Sequence, residues 1–194
     1  MYGSFEAGVN PHFLGSSTTF GKLLGQAAYY RNVKSGTIWA NSLRAGLLIP
    51  SVSDAIPLSQ RFFTGGGSTL RGFPLNGAGP QRVVPACSNP ADPLTCSLIQ
   101  VPTGGVQLVI LNSEFRIPLP ANKKISIVPF YDGGNVFNPG HVGRVSNLNW
   151  TNSVGLGFRY ATLVGPIRVD VGRNLSPVPG LNPTQVFVSL GQAF

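Results

Sequence analysis

The stretch WTNSVGLGFRYATLVGPIRVDVGRNL, residues 150–175, decides how this chain folds. Val154, Leu156, Phe158 and Tyr160 alternate with Ser153, Gly155, Gly157 and Arg159. A period of two separates into two faces only on an extended strand. After a break at Val164 and Gly165 the alternation resumes, with Ile167, Val169 and Val171 opposite Arg168, Asp170 and Gly172. The reading is a hairpin with one apolar face and one face of glycine and isolated charge. In a soluble sandwich the charged face would look out to water. In a membrane barrel the apolar face meets lipid and the polar face lines the lumen. Periodicity fits both.

The same pattern extends outward in both directions. Val109, Leu111, Phe115, Ile117 and Leu119 oppose Asn112, Glu114 and Arg116, and Trp39, Leu43, Ala45, Leu47 and Ile49 oppose Ser42 and Arg44. Eight strands are expected, at about 4–13, 22–33, 37–49, 106–119, 124–137, 150–163, 166–175 and 185–194. The second carries apolar residues on both faces. Residues 50–105, rich in Gly, Pro and Ser, read as one long inserted loop poor in strand signals, too long to be idle in a compact fold. Only 10% of residues are charged, against roughly 25% in ordinary soluble domains. The polar faces hold Gly, Ser, Asn and single Arg residues where a water-facing sheet would carry Lys and Glu. That scarcity favours the membrane. The 42% hydrophobic content excludes disorder, and no apolar run nears the roughly 18 residues of a spanning helix.

The net charge of +8 is spread thinly, with Lys123 and Lys124 the only adjacent basic pair, so nucleic acid is not an expected partner. A cationic lumen or anionic lipid headgroups suit the spacing better. Cys87 and Cys96 sit nine positions apart in a Pro-rich segment, which suggests one loop disulfide in an oxidising compartment; two free thiols sharing a loop is the alternative. No metal or other cofactor is expected, since Cys-x8-Cys without nearby histidine is not a zinc pattern. His12 and His141 lie in separate turn-like segments without partners, and no Gly-x-Ser-x-Gly is present, so an enzyme is not expected. The start at Met1 lacks a basic, apolar export signal, which reads as a fragment or processed form of an exported protein.

Inside the long loop lies RFFTGGGSTLRGF, residues 61–73, with the run Gly65, Gly66, Gly67 followed by Arg71, Gly72 and Phe73. Alone this could cradle a phosphate, but no Gly-Lys-Ser/Thr follows and no strand-to-helix context surrounds it. The segment resembles the sixth-surface-loop motif of the BamA-type assembly barrels, the bacterial surface antigen superfamily, which also holds TamA and the two-partner secretion transporters. Further segments are similar in family order: NSEFRIP at 112–118, FYDGGNVF at 130–137, GLGFRY at 155–160 with GPIRVDVG at 165–172, and VFVSLGQAF at 186–194.

The resemblance implies an all-β, antiparallel transmembrane β-barrel in the bacterial outer membrane, with about eight strands here forming the second half of a sixteen-stranded barrel. Residues 1–194 would be one barrel domain without a POTRA domain. It implies non-enzymatic folding and insertion of outer-membrane clients; a polypeptide secretion pore of the two-partner type or a purely structural small barrel are the alternatives. Partners would be the lipid bilayer and client proteins or a secreted polypeptide, with accessory lipoproteins beside them. A soluble lipocalin-like barrel is the outsider. Arg71 would enter the lumen and meet Glu114 and Asp132, because a guanidinium fork between two acids leaves no buried charge unpaired. Val186, Val188, Leu190 and the final Phe194 would form the terminal strand signal, with Gln192 departing from the apolar face.

Overall fold

The computed structural model describes residues 2–10, 18–50, 56–88, 96–137, 150–176 and 180–191. They form ten strands: β1 (Tyr2–Asn10), β2 (Phe20–Asn32), β3 (Ile38–Pro50), β4 (Gln81–Cys87), β5 (Cys96–Pro102), β6 (Gln107–Leu119), β7 (Asn122–Phe137), β8 (Thr151–Thr162), β9 (Gly165–Asn174) and β10 (Thr184–Leu190). Eight make one sheet in the order β1-β2-β3-β6-β7-β8-β9-β10, and β4 and β5 make a separate ribbon. Every neighbouring pair is antiparallel. The chain therefore meanders, stepping over the β4–β5 insertion between β3 and β6.

The connections sort by end. β2–β3, β6–β7 and β8–β9 are joined by short turns at one end, and the longer segments all lie at the other. That asymmetry belongs to membrane barrels, with short periplasmic turns and long surface loops.

Burial separates the two readings that periodicity left open. Leu156 on β8 is 61% exposed, with Val154, Phe158, Tyr160, Ile167 and Val171 exposed around it, while Asp170 on the opposite face is 0% exposed. Glu114, Asp132, Arg159 and Arg168 are buried with it. A soluble sheet would have these faces the other way round. Apolar out and charge in is the barrel arrangement.

The segment at 50–105 departs from the expectation of a strand-poor loop. It holds a short 3-10 helix (Leu58–Gln60) and the β4–β5 ribbon, in register from Gln81↔Pro102 to Cys87↔Cys96. Both faces of this ribbon are largely open, with Val83, Leu98, Ile99 and Val101 all exposed, so no face had to be apolar and no alternation marked it. The two cysteine sulfurs are joined across the ribbon.

The first part of the insertion folds back against the sheet's inner face. Ile56, Phe62, Leu70, Phe73 and Ala78 pack with Phe20, Leu48, Val106, Leu108, Ile110 and Val136, and Leu24 abuts this cluster. This explains why β2 shows apolar residues on both faces. One face looks outward with Leu23, and the other is roofed by the insertion at Phe20 and Leu24.

Candidate functional site

The strand registers bring charge to one patch of the inner wall. Asn112 on β6 pairs with Asp132 on β7, Asp132 with Ser153 on β8, and Gly157 on β8 with Asp170 on β9. Every second residue points the same way, so Asn112 and Glu114, Phe130 and Asp132, Ser153 and Arg159, Arg168 and Asp170 share the inner face.

The inserted loop delivers the counter-charge. Gly65 and Gly66 have φ of +112° and +103°, a left-handed path that a residue with a Cβ takes only under strain. The coil closes on itself: the Gly66 amide donates to the carbonyls of Leu70 (3.2 Å) and Phe73 (3.0 Å), and the Gly65 amide to Thr69 Oγ1 (3.0 Å). Leu70 and Phe73 are driven into the apolar cluster, and Arg71 between them faces the wall.

Arg71 is 1% exposed and each of its three guanidinium nitrogens has an acceptor. Its Nε and one terminal nitrogen donate to the two oxygens of Asp132 at 2.8 and 2.7 Å, the fork geometry that carboxylates accept best. The other terminal nitrogen donates to Glu114 Oε2 at 2.8 Å, and the backbone amide adds a bond to Asp132 Oδ2 at 3.1 Å. The guanidinium carbon lies 3.5 Å from the centre of the Phe130 ring, a cation–π contact away from water. Burial works against the charge of Arg71, but the hydrogen bonds and charges of Asp132 and Glu114 outweigh it and hold the group above its ordinary range.

A second circle of ions surrounds this one. Glu114 also accepts from Arg116 Nε at 2.8 Å, and Asp170 accepts from Arg159 and, at 2.6 Å, from Arg168. Four arginines thus surround three carboxylates. Two further bonds grip the loop backbone: Asn112 Nδ2 donates to the Thr69 carbonyl at 2.6 Å, and Arg168 to the Gly67 carbonyl at 2.8 Å. The loop can lie this close because small residues floor the wall. A Cβ on Gly172 would sit 2.2 Å from the Arg71 carbonyl oxygen, and one on Gly72 would sit 2.5 Å from Ser153 Cβ. The chemistry of this arrangement is retention: it pins a loop to a wall through fully desolvated charge.

Of the residues singled out in the sequence, Arg71, Glu114 and Asp132 meet in one cluster, Gly65, Gly66 and Gly67 form the coil that presents it, and Phe73 lies in the apolar core beside it. Gly67 approaches β10, where a Cβ would lie 3.3 Å from the Phe187 side chain. Val186, Val188 and Leu190 share the exposed face of β10, while Phe194, Gln192, His12 and His141 lie outside the described residues. Cys87 and Cys96 belong to the β4–β5 ribbon and take no part in the cluster. Phe130, Asn112, Arg159 and Arg168 were not picked out as partners. Their inward parity was visible in the sequence; the cross-strand register that sets them beside Arg71 was not.

Comparison with known proteins supplies the lineage. The chain is 23% identical over 171 residues to the outer membrane protein assembly factor BamA of Nitratidesulfovibrio vulgaris (strain Hildenborough), a match covering 86% of this chain and 19% of that protein. The chain therefore spans about a fifth of the relative's length. Among solved structures, the crystal structure of BamA from Haemophilus ducreyi lacking POTRA domains 1–3 superposes with a TM-score of 0.65 at 16% identity, over 88% of this chain and 35% of that one. The model of the Omp85 superfamily domain matches residues 1–194. With its lipid-facing apolar strands and its charged inner wall, the chain belongs to the Omp85 superfamily of the bacterial outer membrane.

Proposed function

We propose that this chain is the C-terminal part of a barrel that folds and inserts other β-barrel proteins into the outer membrane, without catalysing a covalent reaction. The observation that supports it best is the edge strand β10. It ends the described sheet, as β1 does at the other side, and its Val186, Val188 and Leu190 face outward as a lipid-facing strand must. Where such an end strand becomes available in the full-length barrel, it recruits an incoming strand by backbone hydrogen bonding, which suits many client sequences because it reads the main chain. The pinned loop approaches this strand at Phe187, which sets the ion cluster beside the wall that ends in β10.

The test uses the full-length protein that contains this chain, reconstituted in phospholipid vesicles with an unfolded small β-barrel as client. Folding of the client, followed by its heat-modifiable migration, is expected to accelerate several-fold. A cysteine placed at Ser189 should cross-link to a cysteine in the client's terminal strand. If the client does not fold faster but an unfolded polypeptide crosses into the vesicle lumen, the protein is a secretion pore of the two-partner type and the proposal fails.

A further inference from the structure

The three short turns form a rim whose composition differs from the rest of the chain. The end of β2 carries Arg31 and the β2–β3 turn Lys34, the start of β7 carries Lys123 and Lys124, and the β8–β9 turn carries Leu163 and Val164; all six are exposed. No carboxylate occurs within 31–37, 118–124 or 162–166. The turns are neighbours: a Cβ on Gly36 would lie 3.4 Å from Pro118 Cγ, joining the first to the end of β6. Lys124 faces Tyr160, Ala161, Thr162, Leu163 and Val164 across an open depression of about 600 Å³, joining the second to the third.

Leu163 is fully exposed and Val164 nearly so, an expensive choice for a hairpin tip in water. Aromatic side chains lie just inside this end on the sheet's apolar face. Trp39 stacks on Phe115 with centroids 5.8 Å apart and donates from Nε1 to Ser113 Oγ at 3.0 Å, and Tyr160 is exposed nearby. Rings with an apolar body and a polar handle settle at the level where acyl chains give way to headgroups. Lysines just beyond that level can lay their stems along apolar surface and hold the ammonium among headgroups.

We propose that this rim binds anionic phospholipid in the leaflet that meets the short turns. Lys34, Lys123, Lys124 and Arg31 contact headgroup phosphates, and Leu163 and Val164 dip into the acyl boundary beside them. The absence of acids makes the rim a one-sign surface, which anionic lipid complements along its whole length. An acidic protein would satisfy the lysines but would leave the aromatic row and the apolar tip without a role, so the lipid surface is the better fit.

The full-length protein in phosphatidylcholine vesicles, with a trace of spin-labelled lipid, tests this. The motionally restricted fraction seen by electron paramagnetic resonance should favour labelled phosphatidylglycerol over labelled phosphatidylcholine by roughly two- to fivefold, and the preference should fall as salt rises. Lys34→Gln, Lys123→Gln and Lys124→Gln together should remove most of it. The same three positions changed to Arg should retain it, which separates loss of charge from loss of fold, and heat-modifiable migration checks that each variant is folded. Leu163→Ser with Val164→Ser should weaken the restriction of both labels. Equal association of the two lipids in the wild type, or an unchanged preference in the triple Gln variant, overturns the proposal and assigns the lysines to an acidic protein instead.

Discussion

Ion pairs between a basic side chain and a carboxylate occur on this wall in two opposite surroundings. On the β1–β2 side of the sheet, Lys22 meets Glu6 at 3.3 Å with 30% and 61% of the side chains exposed. On the β6–β9 side, Arg71 meets Asp132 at 2.7 Å and Glu114 at 2.8 Å with no more than 1% of any partner exposed. The difference is the roof. Over β6 to β9 the inserted loop excludes water, so buried charge there is held by direct ion pairs, whereas it covers β2 only at Phe20 and Leu24 and leaves Lys22 and Glu6 open to water. Where the wall is open, water screens the pair and either partner can be solvated if the other is lost. A short distance between opposite charges is therefore a poor measure of what a pair contributes; the water around it decides.

The largest break in this comparison is Arg71→Ala. It leaves Glu114 and Asp132 as neighbouring charges on a dry wall and removes the guanidinium bonds to both, while the Asn112 and Arg168 bonds to the loop backbone remain. The expected loss is roughly 3–5 kcal/mol, read as a lowered urea midpoint of the barrel in lipid, with far-ultraviolet circular dichroism still reporting strands. A variant with wild-type stability would mean that the roof is wet. Gly172→Ala comes next, because its Cβ would meet the Arg71 carbonyl oxygen at 2.2 Å and must lift the loop or bend β9. Overpacking of this kind costs roughly 1–3 kcal/mol, and protease should then reach the loop at 56–80 faster than in the wild type.

A charge-removal cycle sharpens the same contrast. Glu114→Gln with Asp132→Asn should restore part of what Arg71→Ala loses, because the repulsion disappears with the charges. The expected coupling is roughly 0.5–3 kcal/mol. It stays incomplete, since Arg116 and Arg159 would lose the Glu114 charge in the same step. Additive effects of the changes would show that Arg71 and the acids do not act as a unit.

How much of this was legible in the sequence follows from the same physics. The lipid-facing sides of β6, β8 and β9 could be read because the bilayer demands an apolar residue at every second position, and Phe115, Leu156 and Val171 obey it. The meeting of Glu114 and Asp132 with the loop arginine was legible only through the family resemblance, as nothing local says where a loop 40 or more residues away will fold. Phe130 beneath Arg71, and Arg168 gripping the Gly67 carbonyl, depend on register, and register is a property of pairs of strands. The β4–β5 ribbon escaped because Val83 and Leu98 face solvent, where no selection for alternation operates.

The smallest expected effect sits at the open pair. Glu6→Gln removes a charge but leaves a side chain that can still reach Lys22, and both groups have water to turn to. The loss should be about 0–1 kcal/mol. Salt separates this pair from the roofed cluster more cleanly than the mutation does. Raising the ionic strength from about 0.1 to about 1 M shortens the screening length from roughly 10 to roughly 3 Å. Whatever Glu6 contributes at low salt should then vanish, while the cost of Arg71→Ala should change little, because counterions do not enter a wall with no accessible surface. Denaturation of wild type, Glu6→Gln and Arg71→Ala at both salt levels gives the comparison in one experiment. A Glu6→Gln loss above about 2 kcal/mol, well beyond the range for exposed pairs, would place Lys22 and Glu6 in a dry setting. The β1–β2 side would then carry a roof of its own, and exposure would no longer distinguish the two halves of the wall.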